Sequence, residues 1–228
     1  MQQSNRSSFD INAFINLFWH EPGLRRSLDK VYEIIVYALF QALIESIQLK
    51  LRVSYNPNCS NIVKEFADFT ERVLKLSPEV QALEAIAKFH RTGVTNAADR
   101  GLDVWANFGL VIQIKHLPLS LPLAEDIVSN LAADRVIIVC KSAEEGIIIS
   151  LLKQIGWQAR IQSIITESDL SNWYDRALNG TYGSTIGPRV LAILEGEVMA
   201  EFPASQTSEF EAFWTERGYE NATPIDNW

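Results

Sequence analysis

The clearest structural signal lies in residues 100 to 116, which read Arg100-Gly-Leu-Asp-Val-Trp-Ala-Asn-Phe-Gly-Leu-Val-Ile-Gln-Ile-Lys-His116. Residues 100–106 and 110–116 are predicted to form two short strands, and the turn residues between them are typical of a β-hairpin. Asp103 lies on the first strand. Gln113 and Lys115 lie two positions apart on the second strand, so both side chains project from the same face. The hairpin therefore brings a carboxylate, an amide and an ammonium group to one end of a sheet.

The residues after the hairpin alternate between strand and helix patterns. Residues 135–140 are rich in β-branched side chains, which is typical of a strand buried on both faces, and residues 158–165 give a further strand. Apolar spacing predicts helices at 121–131, 143–155, 167–178, 187–201 and 208–217. A hairpin followed by crossover units predicts an α/β fold with a mixed central sheet that helices flank.

The first 91 residues have helical patterning throughout. Apolar spacing predicts helices at 9–19, 27–53, 60–76 and 77–91. The last of these begins at Ser77-Pro78, a favourable capping residue followed by proline at the first helical position. We therefore predict an N-terminal helical region over residues 1–76 and a second region over 77–228 that carries the sheet and the C-terminal helices, together forming one compact unit.

The composition narrows the class of protein. The chain of 228 residues is 47% hydrophobic and 21% charged, an ordinary profile for a globular protein. Its most apolar stretch, 31–51, contains charged and amide side chains such as Glu33 and is too polar to span a membrane, so a cytoplasmic location is expected. Cys59 and Cys140 match no zinc or redox spacing. The formal net charge of −8 argues against a general nucleic-acid coat protein but leaves room for a local phosphate site.

The pattern of Asp103 followed by the triplet Gln113-Ile-Lys115 resembles the motif of the PD-(D/E)XK nuclease superfamily. In that superfamily an acid on one strand precedes a (D/E)-x-K triplet on the paired strand. Over residues 77–165 the chain looks most like type II restriction endonucleases of the HaeII type. The resemblance implies Mg²⁺-dependent hydrolysis of phosphodiester bonds in a specific double-stranded DNA sequence by a homodimer, with residues 77–228 as the catalytic core and residues 1–76 as a dimerisation or DNA-binding surface. Gln113 departs from the usual acid, although other branches of the superfamily also carry a Q-x-K triplet.

The resemblance also implies a role for each residue of the triplet. Asp103 supplies the anionic metal ligand, Gln113 its side-chain oxygen, and Ile114 a backbone carbonyl. Lys115 orients or deprotonates the attacking water and stabilises charge at the phosphate. Because a neutral glutamine binds a metal ion more weakly than a glutamate, a further acid is expected from the helix before the hairpin. Glu84 is the first candidate for this catalytic and metal-binding role.

Other readings of these acids stay open. Glu84 also fits a surface pair with Lys88 one helical turn later. Glu45, the second candidate for the extra acid, also fits a solvent-facing polar stripe. Asp99 competes as a metal ligand but is more typical of a turn. The Asp103 and Lys115 pair, taken alone, also fits an ordinary solvated ion pair.

The contacts to DNA are expected from basic residues and a glycine-rich loop. The loop at 180–189 ends in an arginine and fits either close approach to DNA or an ordinary connection between helices. A basic rim is expected from residues that flank the hairpin and the next strand, including Arg135 and Lys141. The residues assigned to DNA binding are Arg91, Arg100, His116 and Arg189. His116 also fits a packing or hydrogen-bonding role.

Two other functions remain compatible with this sequence. One is a different nuclease of the same superfamily, with a role in repair or in recognising modified DNA. The other is a non-catalytic DNA-binding protein that kept the fold, in which Gln113 marks lost activity.

Overall fold

The structure, a computed structural model, describes residues 9–20, 27–92, 102–120, 122–123, 133, 135–142 and 161–202. The helices and strands in chain order are α1 (Ile11–His20), α2 (Leu28–Ser46), β1 (Lys50–Ser54), α3 (Ser60–Glu65), α4 (Ala67–Phe69), β2 (Ala82–Ile86), β3 (Phe89–Arg91), β4 (Val104–Ala106), β5 (Leu110–Lys115), β6 (Arg135–Cys140), β7 (Ile161–Thr166), α5 (Glu167–Asn179) and α6 (Gly183–Glu201). A 3-10 turn, Pro57–Cys59, precedes α3, and a π-helical segment, Thr70–Leu74, follows α4.

A five-stranded sheet in the order β3-β4-β5-β6-β7 forms the centre of the fold. Strand β4 pairs antiparallel with both β3 and β5, whereas β5, β6 and β7 run parallel. The sheet is therefore mixed, which confirms the predicted α/β class. A second sheet contains only β1 and β2, which pair antiparallel.

The two faces of the central sheet are buried in different clusters. On one face, alternate residues of β4 and β5 such as Val104, Ile112 and Ile114 pack into a large core together with α1, α2, α5 and α6. On the other face, Val136 and Ile138 of β6 belong to a smaller cluster. Because β6 contributes to both clusters, its residues after the first are all buried, as the sequence pattern predicted.

The hairpin of β4 and β5 is confirmed. Val104 pairs with Ile112 and Ala106 pairs with Leu110. Gly109 closes the turn with a φ of +78°, a left-handed conformation that glycine adopts without strain, and its N–H donates to the Ala106 carbonyl at 3.0 Å. This register places Asp103, one position before β4, opposite Gln113.

The long helix predicted at 27–53 is confirmed up to residue 46 and wrong over residues 47–53. Helix α2 ends at Ser46, and the chain then forms β1. Gln48 adopts a left-handed φ of 52°, and its N–H donates to the Glu45 carbonyl while the Leu49 N–H donates to the Ile44 carbonyl. These two bonds form a Schellman-type cap, which usually contains glycine at the left-handed position. No glycine or proline marks the end of this helix in the sequence, so the apolar pattern predicts a helix that is too long.

The helix predicted at 77–91 is also wrong. Ser77 does accept hydrogen bonds from the N–H groups of Glu79 and Val80, as a capping serine would, but a turn follows and the chain continues into β2 and β3. Residues of β2 are good helix formers, and their pairing with β1 overrides that local preference. The helix predicted at 60–76 is present as α3, α4 and the π-helical segment.

Several predictions lie outside the described residues. These are the helices at 143–155 and 208–217, nearly all of the helix at 121–131, and Arg100. The helices predicted at 167–178 and 187–201 are confirmed as α5 and α6, although α6 begins earlier, at Gly183. Much of the glycine-rich loop predicted at 180–189 is therefore helical. The boundary predicted at residue 77 stays a prediction. Among the described helices, none is both long enough and apolar enough to cross a membrane.

Candidate active site

Asp103 and Gln113 meet through a direct hydrogen bond at the end of the hairpin opposite its turn. The Gln113 Nε2 donates to Asp103 Oδ2 at 2.6 Å, and the backbone N–H of Ile114 donates to the same oxygen, also at 2.6 Å. Because an ionised carboxylate only accepts hydrogen bonds, the amide nitrogen of Gln113 must face it and the amide oxygen is turned away. Gln113 is 3% exposed, so this pair is held in a buried position.

The backbone of Asp103 is fixed by the neighbouring strand. The Thr92 N–H donates to the Asp103 carbonyl at 3.0 Å, and the Thr92 hydroxyl donates to it at 2.9 Å. Thr92 directly follows β3, so the edge of the sheet holds the acid in place.

The charges around Asp103 are of both signs. Burial raises the pKa of Asp103 to about 6, although the hydrogen bond from the Ile114 N–H lowers this pKa. The charge of the nearby Glu33 also raises it, and the charges of Lys115 and Lys30 lower it. Two carboxylates and two ammonium groups therefore lie within electrostatic range of one another, and Lys115 is among them as the sequence predicted.

A buried acid that the sequence pattern does not single out, Glu33, lies within electrostatic range of Asp103. It lies on α2, its side chain is 5% exposed, and Lys30 Nζ contacts its two carboxylate oxygens at 2.8 and 2.9 Å. Burial raises the pKa of Glu33, and Lys30 opposes that rise. The signal in the sequence was a single acid inside the apolar run Val31-Tyr-Glu-Ile-Ile-Val36, which is a place where an unpaired charge is unfavourable.

The predicted acids Glu84 and Glu45 lie elsewhere. Glu84 is on β2, opposite Arg52, and its exposed carboxylate forms an ion pair with Lys50 at 3.6 Å. It is therefore neither on a helix nor paired with Lys88, and none of its described contacts reaches Asp103. Glu45 lies twelve residues after Glu33 on α2, about 18 Å along the helix axis. Among these three acids, Glu33 is the one whose charge raises the pKa of Asp103.

Arg91 is placed differently from the DNA-binding role predicted for it. Its side chain is only 8% exposed and forms ion pairs with Glu197 at 2.8 Å, Glu201 at 2.9 Å and Glu33 at 3.6 Å. A guanidinium buried among three carboxylates is not available to a phosphate. Arg91 instead links α6 to α2 through these ion pairs, and one of its nitrogens lies beside Glu33.

The other residues predicted to bind DNA are spread over the molecule. His116 directly follows β5, and its Nδ1 contacts the carboxylate of Asp29 near the start of α2. Arg189 lies on α6, partly exposed, with its Nε 3.8 Å from Glu45. We call Asp103, Gln113 and Lys115 the Asp103 cluster. Of the two residues, only His116 is adjacent to this cluster, since it directly follows Lys115.

The basic rim predicted around the hairpin is not formed as one surface. Arg135 begins β6 at the turn end of the hairpin, donates to the Phe108 carbonyl and lies over the Phe108 ring. Lys141 directly follows β6, roughly 20 Å away, with its ammonium group 4.6 Å from the Trp19 ring centre. Lys141 therefore lies at the same end of the strands as Lys115, and Arg135 lies at the opposite end.

The donor set fits a hard divalent cation better than zinc. Asp103 uses only Oδ2 in its two hydrogen bonds, which leaves Oδ1 as an oxygen donor. The Gln113 amide oxygen is turned away from Asp103, and both carboxylate oxygens of Glu33 are contacted by Lys30. Within the described residues, no group of three or more histidine, cysteine or acidic side chains is arranged to hold a metal ion. Mg²⁺ commonly keeps several waters and takes one or two carboxylates, so a site with few acids suits it.

Comparison with known proteins identifies the family. Residues 1–219 match the HaeII restriction endonuclease family. The chain is 51% identical over 219 residues to a type II restriction enzyme, HaeII, of Haemophilus aegyptius, and 50% identical over 218 residues to another, NgoBI, of Neisseria gonorrhoeae. These alignments cover 96% and 95% of this chain, and 62% and 61% of the two relatives, so the chain spans less than two thirds of their length. No solved structure gives a significant match. The chain therefore belongs to the HaeII restriction endonuclease family.

Proposed function

We propose that this protein is a Mg²⁺-dependent type II restriction endonuclease that hydrolyses phosphodiester bonds within a specific double-stranded DNA sequence. The observation that carries the proposal is the pair formed by Asp103 and Gln113, with Lys115 two residues farther along the same strand face. The relatives named type II restriction enzymes support the activity and its site specificity.

The chain's own side chains supply two parts of the proposed reaction. Asp103, held by Gln113 and Ile114, presents its second carboxylate oxygen for a metal ligand. Lys115 stabilises negative charge that develops on the scissile phosphate and orients the attacking water. A bound divalent cation would lower the pKa of that water and neutralise phosphate charge. The Ile114 carbonyl is the proposed backbone ligand. Glu33, rather than Glu84, is the proposed additional acid at the metal site.

Palindromic recognition sites favour two-fold symmetric enzymes, so a homodimer is part of the proposal. Among the proposed DNA contacts, His116 lies nearest to the Asp103 cluster along the chain, because it directly follows β5. Arg189 remains a proposed DNA contact farther from this cluster. Arg100, which lies outside the described residues, also remains a proposed DNA contact.

Digestion of a fully sequenced plasmid in the presence of Mg²⁺ tests the function and reads the specificity together. Discrete fragments that map to one repeated sequence are expected. General degradation would instead indicate a nuclease of another kind, and binding without cleavage would indicate a non-catalytic DNA-binding protein.

Glu33→Gln is expected to raise the Mg²⁺ concentration for half-maximal cleavage by about 10- to 100-fold, the usual cost of losing a supporting group at a metal site. The substitution removes one charge near Asp103 but keeps the shape of the side chain. Titration of Mg²⁺ in a cleavage assay measures the effect.

Glu84→Gln is the matched control, since it makes the same chemical change on an exposed strand. It should leave the Mg²⁺ requirement unchanged. The opposite result, a raised requirement in Glu84→Gln alone, would return the role to Glu84.

A further inference from the structure

A tryptophan is exposed on the central sheet close to the Asp103 cluster. Trp105 is the middle residue of β4, and 40% of its surface is exposed although both of its neighbours in the strand are buried. Its ring stacks on the ring of His90, with 4.3 Å between the ring centres and 21° between the planes. His90 lies directly opposite Trp105 on β3 and is half-buried. The two rings form a flat aromatic surface, which we call the aromatic platform.

The strand register places the aromatic platform on the same face of the sheet as the Asp103 cluster. Trp105 pairs with Val111 on β5, and the Asp103 carboxylate accepts from Gln113, two residues farther along β5. Side chains two positions apart in a strand share a face, and their Cα atoms are about 7 Å apart. The platform therefore lies one row before Asp103 and Gln113, and Lys115 lies one row beyond them.

This spacing suits a DNA strand whose scissile phosphate lies at the Asp103 cluster. Successive nucleotides of one strand rise by about 3.4 Å along the duplex axis, so the platform lies roughly two nucleotides from the cluster. A base inside a duplex is enclosed by its stacked neighbours, whereas the sugars and phosphates are on the outside. The part of the DNA that can meet the platform is therefore the apolar face of a deoxyribose ring.

The surroundings of the platform favour a nucleic acid over a protein as its partner. Within the described residues of β3 to β7, Trp105 is the only exposed large hydrophobic side chain. A protein docking surface usually presents a contiguous apolar patch, which a single ring does not provide. Lys115 adds a positive charge to the same face. A flat ring near a cation suits the sugar and phosphate of a nucleotide.

We propose that the aromatic platform is a DNA-binding site, where Trp105 packs against the deoxyribose of a nucleotide about two positions from the cleaved bond. The proposal rests on the proposed nuclease function and gives that site a contact that holds the cleaved strand. His90 is a positioning residue. Its stacking restricts the rotamers of Trp105, so less conformational freedom is lost when DNA binds.

Binding of a fluorescein-labelled duplex that carries the recognition sequence tests the platform. The measurement is made in EDTA, so that the duplex stays intact. Trp105→Ala should raise Kd by about tenfold or more, as truncation of an aromatic anchor in an interface does. Trp105→Phe keeps a flat ring and should raise Kd by less than about threefold. Thermal melting of each variant checks that it is folded.

Leu83→Ala is the matched control, because it truncates a side chain of nearly equal exposure, 39%, on a strand of the other sheet. It should leave Kd unchanged. A Trp105→Ala protein that is folded and binds the duplex as tightly as the Leu83→Ala protein overturns the platform.

Tryptophan fluorescence supplies a readout that a merely structural role would not move. The chain has six tryptophans, so the difference between the wild type and Trp105→Phe isolates the emission of Trp105. Addition of the duplex in EDTA should change this difference emission, because packing on a sugar removes water from the indole. An emission of Trp105 that DNA leaves unchanged overturns the contact. This measurement uses only the conservative variant, so it stands even where Trp105→Ala fails to fold.

Duplexes with abasic sites distinguish a sugar contact from a base contact. An abasic nucleotide keeps the deoxyribose and lacks the base. The increase in Kd caused by Trp105→Ala should therefore persist when each nucleotide near the cut is made abasic in turn. Disappearance of the increase at one position would show that Trp105 stacks on a base, and it would overturn the sugar contact.

Cleavage of the plasmid by the same proteins separates this proposal from the nuclease function. If the wild type cuts DNA into discrete fragments while Trp105→Ala binds normally, the platform is wrong and the function stands. If the wild type binds DNA but never cuts it, and Trp105→Ala weakens that binding, the platform stands and the nuclease function is wrong.

Discussion

Lys115→Ala is expected to reduce the rate of DNA cleavage by at least about a hundredfold while leaving binding of the same DNA nearly unchanged. Removing one preorganised group that stabilises charge in the transition state typically has an effect of this size. Lys115 is half-buried at the end of β5, beside the Asp103 and Gln113 pair, so its charge acts on that site. Single-turnover cleavage of a duplex that carries the recognition sequence measures the loss.

Lys88→Ala provides the comparison for this experiment. Lys88 is exposed and lies at the turn end of the hairpin, where its backbone N–H donates to Asn107 Oδ1 at 3.0 Å. Its loss removes the same charge from the same domain, so cleavage should continue at the wild-type rate. Wild-type cleavage by Lys115→Ala would show that the catalytic assignment is wrong.

The central strands could be predicted because their signals are local. The turn with Gly109 sets the register of the hairpin, and strand alternation alone places Gln113 and Lys115 on one face. Asp103 then follows from the register. The run of β-branched residues in β6 likewise identifies a strand covered on both faces.

The N-terminal half could not be predicted as well, because its outcome depends on contacts between distant residues. Helix α2 is ended by Gln48 in a left-handed conformation, which few residues other than glycine adopt readily. The pairing of β1 with β2 then turns a sequence of good helix formers into a strand. One local clue was present, since Leu49, Leu51 and Val53 alternate with polar residues as a strand does.

The acid at the site depended on the same tertiary information. The sequence predicts a further acid from a helix before the hairpin, and it places that acid at Glu84, but residues 77–91 are not helical. The charge of Glu33 acts on Asp103 because α2 packs on the sheet, with Gln41 Oε1 accepting from the Phe89 N–H at 2.8 Å. No spacing along the chain reveals that proximity.

Arg91→Ala is expected to lower the free energy of unfolding by about 3–5 kcal/mol, the usual cost of leaving buried charges without their partner. Arg91 is the cation between Glu33, Glu197 and Glu201, and two of these carboxylates, like Arg91 itself, are less than a tenth exposed. A phosphate-binding arginine would behave differently, since its loss would weaken DNA binding and leave stability unchanged. Urea unfolding followed by circular dichroism separates the two roles.

Arg189→Ala is the control for that experiment, because Arg189 is 40% exposed and lies 3.8 Å from Glu45. Its loss should change the free energy of unfolding by only about 0.5 kcal/mol or less.

The pH dependence of the stability lost in Arg91→Ala supplies a second check. Burial already raises the pKa of Glu33, and the Arg91 guanidinium opposes that rise. Without it the folded-state pKa rises further above the unfolded value, so the folded protein binds more protons and is stabilised as pH falls. The deficit should therefore be smaller at pH 5 than at pH 8, whereas a deficit independent of pH would indicate lost packing rather than unpaired carboxylates.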